Sequence, residues 1–194
     1  MKKSTSIQVF AVSLAVAVLS SFFIVDVYNA VRPMMLAEQG QECLDELAGK
    51  DVLFTPLGPI EQKQCAVKNA VRIEKFASTT LNHPITVSCD FGLKLQSYFA
   101  KLRTKEVQHF GALNCRQVRG GQILSEHSFG NAIDITDFDN ANVARDWNKD
   151  SRKGALLRVA EDLACNIFSN VLSPDSDLQH SNHIHLDAGP GFGC

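Results

Sequence analysis

Residues 180–187 read His180-Ser181-Asn182-His183-Ile184-His185-Leu186-Asp187, and the last five alternate polar and apolar side chains strictly. Alternation with a period of two belongs to a β-strand. On a strand, His183, His185 and Asp187 share one face while Ile184 and Leu186 point into a core. On a helix of 3.6 residues per turn, positions two apart would diverge by about 200°. A strand therefore gathers the imidazoles, and His180 can approach from the turn before it. A second stretch, Ser125-Glu126-His127-Ser128-Phe129-Gly130-Asn131-Ala132-Ile133-Asp134-Ile135, ends in the same way. There Ile133 and Ile135 face inward and Asp134 lies on the opposite face. Gly130 allows the chain to fold back, so that His127 can come near Asp134.

A face holding two or three histidines and a carboxylate suits a divalent metal, because neutral imidazole nitrogen and carboxylate oxygen are both good ligands. Two His and one Asp leave a fourth position for water, the pattern of a catalytic rather than a structural zinc site. A further histidine beside such a site could act as general base. The plain alternative is that a strand histidine is only a satisfied polar residue. Three histidines within six positions beside one terminal strand weigh against it. His83 and His109 have no such company and read as surface or packing residues.

Working outward, the whole chain has 194 residues, 45% of them hydrophobic and 21% charged. That composition excludes a largely disordered chain, a collagen-like chain and a polytopic membrane protein. With 19 Lys+Arg against 21 Asp+Glu the formal net charge is −2, which gives no electrostatic case for nucleic-acid binding. Lys2 and Lys3 precede a run from Ile7 to Val25 interrupted only by Gln8, Ser13, Ser20 and Ser21. At a helical rise of about 1.5 Å, residues 7–25 span roughly 28 Å, close to a bilayer's hydrocarbon core. Residues 1–30 are thus a signal anchor in the inner membrane or a cleaved signal peptide. Bulky Tyr28 argues against a cut after Ala30. The positive residues lie before the span, so everything after it is exported, to the periplasm in a two-membrane envelope. Residues 31–42 read as a linker and 43–194 as one domain.

Cys43, Cys65, Cys89, Cys115, Cys165 and Cys194 all follow the apolar run. Six thiols in an oxidising compartment imply three disulfides, with fifteen possible pairings. No two lie at zinc-finger spacing. Cys65 and Cys89 could face each other across a hairpin, and a Cys43–Cys194 bond would fasten both ends of the domain.

A short helix over Cys43–Ala48 should stop at Gly49, and residues 54–60 read as a loop. Ala66–Phe76 and Ile85–Val87 are expected strands. Phe91, Leu95, Tyr98, Phe99 and Leu102 recur at helical spacing, predicting an amphipathic helix over about 89–109. Leu156, Val159, Ala160, Leu163 and Ile167 mark another, capped by Asp150 or Ser151. Gly120-Gly121 reads as a turn between a strand holding Cys115 and Arg116 and the segment Gln122–Ser125. Helices and strands mix without a βαβ rhythm, which gives an α+β fold: one disulfide-bonded domain with a small antiparallel sheet carrying the site, flanked by helices.

The pattern Ser-x-His-x-x-Gly-x-Ala-x-Asp, filled by Ser125, His127, Gly130, Ala132 and Asp134 and followed later by His-x-His, resembles the signature of the LAS metallopeptidases. These comprise lysostaphin-type enzymes, D-Ala-D-Ala peptidases and hedgehog-like domains. The His180-x-x-His183-x-His185 spacing is similar to that of the penicillin-insensitive murein endopeptidases, whereas D-Ala-D-Ala dipeptidases place a glutamate base where this chain has Asn182. Cys43-Leu-Asp-Glu-Leu, Cys65-Ala-Val-Lys-Asn-Ala-Val, Asn114-Cys-Arg116, the Ser125 motif and Val171-Leu-Ser-Pro174-Asp also resemble bacterial extensin-like C-terminal proteins, over residues 43–194. Carried over by position, the resemblance implies one zinc ion held by His127, Asp134 and His185. His183 would be the general base, and His180 a second active-site histidine. Arg116 would steady a substrate carboxylate or an oxyanion, unless it only forms a surface ion pair. Asp187 either accepts a hydrogen from a ligand imidazole or is simply solvated.

The implied activity is zinc-dependent hydrolysis of peptidoglycan cross-link peptides by a metal-activated water. The alternative is a non-catalytic zinc-containing domain that binds the cell wall. A two-His-one-carboxylate iron oxygenase would need a distal histidine well beyond Asp187, where only seven residues remain. A serine hydrolase through Ser125 lacks a nucleophile-elbow pattern.

Overall fold

The computed structural model describes residues 40–62, 64–191 and 193–194. The signal-anchor or signal-peptide segment and nearly all of the 31–42 linker lie outside the described residues. Among the described residues no helix is long and apolar enough to cross a membrane. Residues Cys43–Cys194 form one compact unit.

An eight-stranded sheet organises that unit. Its strands are β1 (Leu53–Gln62), β2 (Cys65–Phe76), β3 (Thr79–Ser88), β4 (Glu106–Gly111), β5 (Ala132–Phe138), β6 (Ala141–Asn142), β7 (Asn170–Leu172) and β8 (Ile184–Asp187). The order is β1-β2-β3-β4-β5-β8-β7, with β6 paired to β5. The fold is mixed α+β, but the sheet is larger than the small antiparallel one expected, and β3 pairs β4 in parallel. That pairing follows from a helix crossing over between them, as parallel neighbours require.

The helices are α1 (described over residues 40–48), α2 (Cys89–Leu102), α3 (Val143–Asp146) and α4 (Arg152–Cys165). The Ser88 side chain accepts from the Phe91 N–H to cap α2, and Ser151 caps α4 through the Gly154 N–H. Phe91, Leu95, Tyr98 and Phe99 are buried, as their spacing predicts. Each large side chain so buried contributes about 1.5–3 kcal/mol. α2 lies against β2 and β3, while α4 packs on α2, β6 and β7. The Tyr98 hydroxyl donates to the Ala160 carbonyl at 2.9 Å and ties the two helices together.

Five expectations are corrected. The helix predicted over 89–109 ends at Leu102, because Arg103 turns left-handed at φ 56° and Val107 and His109 then alternate as a strand. Residues 54–60 are strand, not loop. Pro56, Gly58 and Pro59 sit on an edge, where irregular register spares the missing N–H groups. The inward face of α4 is Gly154, Leu157, Ala160 and Ala164, whereas Val159 is 55% exposed. Small residues there let the helix approach closely, a signal that large apolar residues mask. The disulfides are Cys43–Cys89, Cys65–Cys115 and Cys165–Cys194, not Cys65–Cys89 or Cys43–Cys194. β2 pairs β3 with Ala70 opposite Ser88, so Cys65 lies five residues beyond the hairpin partner of Cys89's neighbour.

Candidate metal centre

Two segments build the centre. A short 3₁₀ helix, Glu126–Phe129, carries His127 and ends at Gly130, whose φ is 66°. A Cβ there would stand 2.8 Å from the Ser88 nitrogen, so the position needs glycine both for its backbone angle and for its close approach to β3. The reversal delivers the chain into β5 with Asp134 facing His127; the His127 Nε2 to Asp134 Oδ1 distance is 3.2 Å. Asp134 and His185 are direct cross-strand partners of β5 and β8, 2.8 Å apart from Oδ1 to Nδ1. β8 begins at Ile184 and is buried along its whole length between β5 and β7. His183 therefore stands just before the strand rather than on it.

One ligand atom each from His127, Asp134 and His185 lies within 4.8 Å of the others. The far side of each imidazole is also fixed. His127 Nδ1 donates to the Ala112 carbonyl, which leaves Nε2 toward Asp134. His185 Nε2 donates to Asp187 Oδ2 at 3.0 Å. Asp187 is itself buried and accepts from Asn170 Nδ2 at 2.7 Å and from the Gly189 N–H at 2.9 Å. It is thus an oriented acceptor behind His185, not a solvated carboxylate. Two imidazoles and a carboxylate, with acceptors holding the imidazoles from behind, are a donor set that fits a divalent ion such as zinc.

The electrostatics agree with this packing. Burial is the largest single influence on Asp134 and favours its neutral form. It is outweighed by hydrogen bonds and charges from His127 and His185, which hold the carboxyl far below the usual range. Burial likewise opposes protonation of His185, yet bonds to Asp134 and Asp187 raise it to about 9. His183 is pushed down, first by burial and then by His180, His185 and His127, against the pull of Asp134.

A family described as extensin-like protein C-terminus matches residues 41–193. The chain belongs to that family. No curated protein and no solved structure matches it.

The extensin-like domain opens a cavity of about 540 Å³ over this cluster, lined by Asp134, His180, His183, His185 and Asp187 together with Arg116 and Arg119. The rings of His180 and His183 lie 5.1 Å apart, and that of His180 lies 5.8 Å from His185. His183 Nε2 is 3.6 Å from Asp134 Oδ1, while its Nδ1 meets Asn182 Oδ1 at 2.8 Å. Asn182 therefore orients the neighbouring imidazole. Arg116 is exposed on the hairpin closed by the Gln117–Leu124 bridge, and its Nη1 donates to the Gln117 carbonyl at 3.2 Å. No carboxylate among the described residues pairs with it.

The cavity residues Phe110, Arg119 and Asn170 carried no sequence signal, nor did Ala112, whose carbonyl lies behind His127. Asp177 had one, since Asp three residues before His180 is a cap spacing. His83 and His109 lie elsewhere, on β3 and β4, with ring centroids 4.1 Å apart. His109 Nε2 donates to the His83 carbonyl, and burial pushes His109 down to about 4.

Proposed function

We propose that the extensin-like domain is an exported zinc peptidase that hydrolyses amide bonds in peptidoglycan cross-link peptides, held at the periplasmic face of the inner membrane by residues 7–25. The observation that carries this reading is the convergence of His127, Asp134 and His185 under a cavity that His183 and His180 also line. Three disulfides with no free cysteine among the described residues support an oxidising compartment.

His127 Nε2, Asp134 Oδ1 and His185 Nδ1 would hold the ion. When bound, zinc supplies a Lewis acid that polarises a carbonyl and acidifies water. His183 takes a proton from the attacking water and returns it to the leaving nitrogen. Arg116, always charged and forked, answers the negative charge of the oxyanion or of a substrate carboxylate. The rest of the cavity wall excludes bulk water and aligns the peptide.

The test measures zinc content and cleavage of cross-linked muropeptides for the wild-type chain, His183→Ala and His185→Ala. The expected result is metal kept and activity lost in the first variant, and both lost in the second. Full activity in either variant contradicts the assignment. Retained zinc with no cleavage by the wild type, but with binding to wall sacculi, would make the domain a binding module.

A further inference from the structure

Asp177 begins the short 3₁₀ helix Leu178–His180, and one of its oxygens receives three hydrogens. Oδ1 accepts from the Gln179 N–H at 2.7 Å, from the His180 N–H at 3.1 Å and from the His180 ring Nδ1 at 2.8 Å. A carboxylate only accepts, so Nδ1 must carry the hydrogen. In the neutral ring the lone pair is then confined to Nε2, the nitrogen remote from Asp177. The ring lies between the cap and the cavity, its neighbours being His183 and His185.

An aspartate that merely capped the helix would need only the two backbone amides. The ring bond is additional, and it decides what His180 can offer. His183 is held differently: Asn182 steadies its Nδ1, and its Nε2 reaches toward Asp134. The two cavity imidazoles are thus anchored separately. His183 faces the ligand carboxylate, and His180 is turned by Asp177.

We propose that Asp177 is a positioning residue that locks His180 as the Nδ1–H tautomer, so that His180 Nε2 accepts the N–H of the scissile amide. This rests on the peptidase reading above. Of the polar groups of a peptide bond only the N–H donates, so a fixed lone pair selects it. The bond holds the nitrogen while its own lone pair turns toward His183. The proton balance is closed without His180: the water proton passes to His183 and then to the nitrogen as the C–N bond breaks. His180 accepts this hydrogen bond most strongly as the nitrogen turns pyramidal and gains its proton in the transition state, and transfers nothing.

The test uses the full chain loaded with zinc, a cross-linked muropeptide, and its ester analogue in which oxygen replaces the scissile N–H. Asp177→Ser keeps an oxygen for the cap and removes the carboxylate from the ring. On the amide its kcat should fall roughly 10- to 100-fold, the range for losing a partner that orients a functional imidazole. KM, zinc content and ester hydrolysis should stay unchanged, and Asp177→Asn, which still accepts, should restore most of the amide rate. Histidine ¹H–¹⁵N correlation spectra should show His180 as Nδ1–H in the wild type and altered in Asp177→Ser. Equal losses on amide and ester would mean a structural role and overturn the proposal. So would an Nε2–H tautomer in the wild type, or an unchanged amide kcat in Asp177→Ser. A zinc-loaded wild type that cleaves neither compound takes down the peptidase reading and this role with it, an outcome distinct from an active wild type indifferent to Asp177.

Discussion

In two regions of the domain a buried histidine lies beside another ring, His127 with His185 at 5.1 Å and His109 with His83 at 4.1 Å. Both pairs bridge segments distant in sequence, and His109, like His127 and His185, is buried. They differ in what stands behind and before the rings. His127 and His185 share Asp134 and have acceptors in Ala112 and Asp187 behind them, and His185 and Asp134 open onto a cavity. His109 has a carbonyl on one nitrogen and, among the described residues, no hydrogen-bond partner on the other and no carboxylate against its side chain. Burial lowers both, but the two carboxylates outweigh it at His185, which is raised to about 9, whereas His109 is lowered to about 4. A histidine becomes a candidate ligand through its carboxylates and its cavity, not through being buried on a strand.

The comparison breaks most directly at its centre. His185→Ala should lose bound zinc and all measurable cleavage, whereas His109→Gln should keep both, measured by metal analysis and muropeptide digestion. Removing only the acceptor behind the ligand gives a smaller effect. Asp187→Asn should weaken zinc affinity roughly 10- to 100-fold, read by competition with a chelating dye. No change at His83, the ring beside His109, should alter that affinity.

Gly130→Ala probes the turn that brings His127 to Asp134. A left-handed angle and a Cβ only 2.8 Å from the Ser88 nitrogen should destabilise the chain in urea unfolding. The cost should be about 1–3 kcal/mol for the backbone strain alone. Unchanged stability would mean that the reversal needs no glycine.

The smallest effect concerns the plain pair. An unfolded histidine titrates near 6.5 and His109 in the fold near 4, so between these values the unfolded chain holds the more protons. Stability should then fall as pH drops from about 6.5 to about 4. Urea midpoints across that window should slope less for His109→Gln than for the wild type.

Much of the centre was legible because its signals are local. Strict alternation over 183–187 identifies the β8 face, and Gly130 between His127 and Asp134 identifies the reversal. Ser151 and Phe91–Phe99 similarly announce their helices. What stayed hidden depends on distant register. The disulfide partners follow from where α1 meets α2, where β2 meets the 112–125 segment and where α4 meets the C-terminal residues, which no spacing encodes. β1 is concealed by prolines that an edge tolerates, and α4 turns a glycine and alanines inward where larger residues seemed to mark the face. Asp177 shows only a capping pattern in the sequence, and its bond to the His180 ring needs the fold.

The central claim is that His127, Asp134 and His185 together hold a divalent ion. Anomalous diffraction at the zinc edge, from crystals of the zinc-loaded chain, tests it most directly. The expected result is one peak per chain, about 2.0–2.2 Å from His127 Nε2, Asp134 Oδ1 and His185 Nδ1. A map with no peak among those atoms, or with its peak on other residues, would contradict the account.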